Sequence, residues 1–367
     1  MQYEEKNLRY AVIDALRFPL MCCVVWIHCA FMNYSMEVGV SFVDMEHYPI
    51  YTVVSLLLAE NVARVAVPMF FFISGWLLFR EGEEWSWRMF GGKLKRRFRT
   101  LLLPYLLWNL LYAVLYWGMQ MIFPSLFSER IGALGRYSFL EWIALVWGIG
   151  PDSGGPIASQ FWFVRDLMVL IFFSPLLYAL FCRKMGRFAD AVVVLLLVLY
   201  IFPVNGNTLS EDMFFVLGVY CGVRRVDVVL FAKRLFPLLI MTYVVIVSCS
   251  TFLLARGDVE VGMCFTRLGV LVGILAVFGG VARWIFHKGY VFGSIWTRSS
   301  FFLFAYHAML TPLCGKLALR FLPYGADVGA VMVYCGISLL VVFLGVGGYY
   351  VCSVIAPSMT RWMTGGR

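Results

Sequence analysis

The sequence predicts an all-α, polytopic membrane protein of about ten transmembrane helices, with the N- and C-termini cytoplasmic. Three observations predict it. The 367 residues are 62% hydrophobic and only 14% charged, with a mean hydropathy of +0.84, which is more apolar surface than a soluble core of this size needs. Apolar runs of about 20 residues, the length that crosses a bilayer, recur along the whole chain. The cations are also lopsided. With the N-terminus inside, 21 of the 30 Lys and Arg residues fall in cytoplasmic segments and 4 in outer ones, a strong positive-inside bias. The same placement argues against nucleic acid as the partner of the +9 net charge, because the cations sit in short loops between apolar runs.

The predicted spans run over 10–32, 50–79, 101–122, 161–181, 189–203, 211–223, 236–254, 264–284, 299–319 and 329–353. They form a single membrane domain, 1–367, with no internal repeat and no low-complexity tract. The first run is too long and too polar for a cleaved signal peptide and is expected to remain. A basic cytoplasmic loop covers about 80–100. An outer connection covers about 123–160, where the semi-apolar 139–150 is too short to span and reads as a re-entrant or interfacial piece, followed by the turn signal of 151–156. The ten cysteines fall mostly within apolar runs and form no C-x-x-C pair, so they read as small buried hydrophobes.

Ionisable residues inside the spans are the functional candidates, because a charge at membrane depth is costly. The first span carries Asp14, Arg17 and His28. Arg17 and His28 are 11 residues apart, about three helical turns or 16 Å on one face, and Asp14 lies one turn from Arg17. Histidine titrates near neutrality and can take a proton from a hydroxyl and return it. Arg64 lies in the outer half of the second span, one turn from Glu60 as a pairing partner. Pro68 should kink that helix, and Ser74-Gly75 permits close helix approach.

Lys93, Lys95, Arg96, Arg97 and Arg99 place five cations in seven residues. They suit phosphate groups or acidic lipid. Gln160, Trp162, Arg165 and Asp166 open the fourth span, with Trp162 placed as an aromatic-belt residue. His307 lies among Phe and Tyr about two turns into the ninth and needs a partner. No His and carboxylate cluster has metal-ligand spacing, and no nucleophile elbow or Walker loop occurs.

These pieces together resemble the acyltransferase-3 family of integral membrane acyltransferases. The resemblance rests on D-A-L-R with His28 eleven residues beyond Arg17, R-V-A-V-P-M-F-F-F-I-S-G-W-L-L (64–78), the R-x-x-R of Arg96 and Arg99 before L-L-L-P-Y (101–105), Q-F-W-F-V-R-D-L (160–167) and Y-H-A (306–308), in that order. It implies ten helices with both ends inside, and O-acyl transfer, usually of acetyl, from cytoplasmic acyl-CoA to a hydroxyl of a glycan or lipid-linked sugar at the outer face. No metal is implied, and the setting looks like a bacterial cytoplasmic membrane.

On this resemblance His28, with Arg17 and Asp14, is the catalytic set. Arg96, Arg99 and Arg17 would hold the donor phosphates, and Arg64, Trp162 and His307 the acceptor. The chain departs from the family in having Phe18-Pro19 where many members have Gly, and in lacking the W-S-L-x-x-E of the fourth helix region. No hydrolase-like domain follows the last span, so transfer is expected to finish within the membrane domain. The alternative from another class is a transporter of glycan intermediates or small solutes, which intramembrane Arg, Asp and His also suit. It would favour inverted repeats. A third reading is a scaffold whose buried charges only fix helix packing.

Overall fold

The computed structural model describes residues 5–30, 45–79, 86–122, 134–149, 155–203, 209–289, 293–321 and 326–366. Arg80 of the basic loop, and 123–133 and 150–154 of the outer connection, lie outside the described residues. The described residues are helical, with no strand among them. The helices are α1 (Glu5–Cys29), α2 (Pro49–Leu78), α3 (Trp87–Ile122), α4 (Phe139–Trp147), α5 (Trp162–Phe172), α6 (Ser174–Phe181), α7 (Gly186–Ile201), α8 (Met213–Val223), α9 (Val228–Ala255), α10 (Val259–Lys288), α11 (Ser294–Phe321), α12 (Asp327–Ile355) and α13 (Pro357–Met363).

Each predicted span falls on a helix, but the expectation of about ten crossings is only partly met. Among the described residues, six helices are long and apolar enough to cross a membrane: α1 from Leu8, α2, α3, α9, α10 and α12. A seventh arises if α5 and α6, which meet at 57°, form one broken span. The break has a local cause. Pro175 opens α6 and cannot continue the hydrogen-bond ladder of α5. The 11 residues of α8 cover about 16 Å, roughly half the hydrocarbon core. The 28-residue α11 is long enough but interrupts its apolar surface with Ser299, Ser300, His307 and Thr311.

Helix α1 lies at the centre, packed against α2, α10, α11 and α12. Its N-terminal end is tied down by an ion pair from Arg9 to Asp227, the residue that caps α9. Helix α2 changes pitch midway. Leu56–Val62 is a π-helix and Ala63–Val65 a 3-10 turn. The buried Asn61 amide donates to the Leu56 carbonyl at 3.0 Å and to Thr251 Oγ1 at 3.2 Å. Thr266 bonds the Asn61 carbonyl oxygen at 3.4 Å and Ser250 at 2.7 Å. Polar groups at this depth need internal partners, and this network satisfies them while holding the π-segment against α9 and α10. The widened turn sets the direction of Arg64 just beyond it.

Helices α2 and α8 meet backbone to backbone. A Cβ built on Gly75 would lie 2.2 Å from the Phe215 carbonyl oxygen, and one on Gly218 would lie 2.1 Å from that of Phe72. Only glycine fits such a contact. Gly218→Val is expected to force the pair apart at a cost of at least about 1–3 kcal/mol, read as a lowered thermal unfolding midpoint in detergent. An unchanged midpoint would mean the two helices do not pack this closely.

The short α4 starts with a capping box between Ser138 and Glu141 and ends at Gly148 in the left-handed region. Its Val146 carbonyl accepts from the Tyr105 hydroxyl at 2.6 Å. Arg165 donates to the Trp147 carbonyl at 3.3 Å and pairs with Asp166 at 2.7 Å, although the two are adjacent in sequence. These bonds fix the approach to α5. All ten cysteines are free thiols.

Candidate active site

A cavity of about 870 Å³ runs along α1 and is walled by α2, α5 and α11. On α1 its lining residues recur at helical spacing from Ile13 through Arg17, Met21 and Val24 to His28. The cavity therefore extends over the roughly 16 Å that separates Arg17 from His28 on a helix. Most of its wall is apolar, including Val67, Phe70, Phe163 and Phe304, and the polar groups gather toward its two ends.

At one end stand Arg17 and Arg97. Arg17 is half-exposed and pairs with Asp14 at 3.1 Å. Arg97 lies within electrostatic reach of it. Two cations with one carboxylate between them leave a positive mouth. Asp14 is not part of the lining. Arg96 and Arg99 are exposed and also outside it. Helical rotation explains the difference, because Arg97 at the end of the first helical stretch of α3 points about 100° away from Arg96.

At the other end His28, His307 and Arg64 come together. The His28 ring lies 5.0 Å from that of His307, centroid to centroid. His28 is exposed by surface area, and that surface opens on the cavity. His307 is fully buried, and its Nδ1 bonds the Phe304 carbonyl at 2.6 Å. A carbonyl can only accept, so Nδ1 carries the proton and Nε2 presents a lone pair. Arg64 lies within electrostatic reach of His28. Buried Glu60 accepts from Arg64 Nε at 3.0 Å and Nη2 at 2.5 Å, which is the pairing expected one turn away. Trp162 lines the same end, its ring 6.2 Å from Phe71.

Several lining residues went unassigned in the sequence. Gln160, Glu211, Thr297 and Ser300 face the cavity along with Arg97. The α11 set was within reach, since Thr297, Ser300, Phe304 and His307 repeat at three to four residues. Glu211 had no such signal.

A family model described as an acyltransferase domain matches residues 10–356. The chain belongs to the acyltransferase-3 family. It is 25% identical over 323 residues to the succinoglycan biosynthesis protein ExoH of Rhizobium meliloti (strain 1021), covering 79% of this chain and 81% of that protein. No solved structure matches. The acyltransferase-3 motifs quoted from the sequence fall on the walls of one cavity at Arg17, His28, Arg64, Trp162 and His307, whereas the R-x-x-R arginines flank the lining residue Arg97. The family and the apolar helices make this an integral, multi-pass membrane acyltransferase.

Proposed function

We propose that the protein moves an acyl group, acetyl in the simplest case, from cytoplasmic acyl-CoA to a hydroxyl of a cell-surface polysaccharide or lipid-linked sugar at the outer face of a bacterial cytoplasmic membrane. The observation that carries this reading is one continuous cavity with two arginines at one end and two histidines at the other. The place of ExoH in succinoglycan biosynthesis supports a polysaccharide acceptor. The cation bias supports the sidedness, putting the Arg17 end inside and the His28 end outside.

In this mechanism the donor phosphates rest on Arg17 and Arg97, with Arg96 and Arg99 outside the mouth drawing the anion in. The pantetheine arm lies along the apolar wall and carries the thioester to His28. An acceptor hydroxyl enters from the other end, near Trp162. His28 takes its proton as the oxygen attacks the thioester carbonyl. Arg64, held by Glu60, faces the developing oxyanion. The C–S bond then breaks, the thiolate takes the proton from His28, and the new ester leaves outward.

The donor assignment has its own test. Arg97→Gln and Arg17→Gln should each raise the KM for acyl-CoA about tenfold or more, as expected for a lost charge-assisted bond. The acceptor KM should stay within about twofold. Arg96→Gln should do less, and the variant's donor KM should depend less on ionic strength than that of the wild type. Equal effects on both substrates would remove the phosphate assignment.

A further inference from the structure

Gln160 sits in the 3-10 turn Ser159–Phe161 that leads into α5 and is 5% exposed. Its Nε2 donates to the Ala305 carbonyl at 2.7 Å and to the Tyr112 hydroxyl at 2.9 Å. The Tyr112 hydroxyl in turn donates to the same carbonyl at 3.0 Å. The carbonyl can only accept, so the amide orientation is fixed with nitrogen toward Ala305. Both amide protons are spent on α11 and α3, and Oε1 is buried without a hydrogen-bond partner. His307 repeats the arrangement one residue pair further on. Its Nδ1 is spent on the Phe304 carbonyl, and its Nε2 is buried without a partner.

Both residues line the cavity, and His307 touches His28. Two fully oriented acceptors, bonded through successive carbonyls of one helix, thus lack donors at the end where the acceptor hydroxyl enters. A buried acceptor without a donor keeps its full desolvation penalty, so a built site of this kind calls for donors from outside the chain. Hydroxyl groups are neutral donors and fit, whereas a carboxylate or phosphate would meet two lone pairs.

We propose that Gln160 Oε1 and His307 Nε2 form a hydroxyl subsite that holds a second hydroxyl of the acceptor beside the one acylated at His28. The substrate class is therefore a polyol with neighbouring hydroxyls, as on a sugar ring, and not an isolated alcohol. This rests on the acyltransferase reading above. The subsite also fixes which hydroxyl reacts, since its neighbour is the one anchored.

The test uses the full-length protein in detergent with acetyl-CoA as donor, and vicinal cyclohexanediol and cyclohexanol as probes. Free thiol release and ester formation are recorded separately. The wild type should acylate the diol with a kcat/KM at least about tenfold above that of the mono-ol, the value of one well-placed hydrogen bond. Gln160→Leu should reduce that ratio to within about twofold of unity. A ratio within one protein does not depend on the folded fraction. Equal use of both probes by the wild type, thiol release without acylation of either, or an unchanged ratio in Gln160→Leu would overturn the subsite and leave the two acceptors to water. No thiol release by the wild type would instead strike the acyltransferase reading itself.

Discussion

His28→Ala should lower acyl transfer by about 10²–10⁴-fold, the range of a lost general base, while leaving the donor Kd within about twofold. The separation follows from distance. The donor phosphates are assigned to Arg17 and Arg97, about 16 Å along α1 from the imidazole. His28 opens on the cavity, so truncating it enlarges existing space more than it breaks packing. The base must be neutral to act, so the wild-type rate should fall toward acid pH, and the residual rate of the variant should lack that fall. Single-turnover transfer and equilibrium donor binding, measured on the same preparation, check both halves. Loss of binding in parallel with transfer would place His28 in the donor site instead.

Arg64→Met should be more damaging to the fold than any other single change at the site. It leaves Glu60 as a buried carboxylate whose Oε2 has lost both of its donors and whose Oε1 already has none. Breaking one side of a buried pair costs about 3–5 kcal/mol. The double variant Glu60→Met with Arg64→Met removes both charges and should regain most of the thermal stability. If Arg64 also faces the oxyanion, the stable double variant should still turn over about 10²–10³-fold slower. Stability regained together with full activity would confine the pair to a packing role.

The two α1 residues at the ends of the cavity were legible because helix periodicity is local, so eleven residues put Arg17 and His28 on one face whatever surrounds them. Glu60 and Arg64 were legible for the same reason at one turn. Arg97 was hidden among five cations, since composition marks a basic loop without saying which side chain turns inward. The meeting of His28 with His307, and of Gln160 with Ala305, joins residues more than 140 positions apart, and no local pattern encodes it. The π-segment of α2 is likewise held by Thr251 and Thr266 from distant helices. Apolar runs such as 211–223 read as spans because composition does not report helix length, and that run falls on a helix of only 11 residues. The fourth span was read through its own break at Ser174-Pro175.

The most direct test of the central claim is transfer across the membrane. Purified wild type and His28→Ala are reconstituted into proteoliposomes that enclose a membrane glycan extract, and acetyl-CoA labelled in its acetyl group is supplied outside. Protein inserted with its Arg17 end outward should place label on enclosed glycan while free CoA thiol accumulates outside, and His28→Ala should bind donor without doing either. Label transfer by both proteins at the same rate, or none by the wild type despite bound donor, would contradict the account.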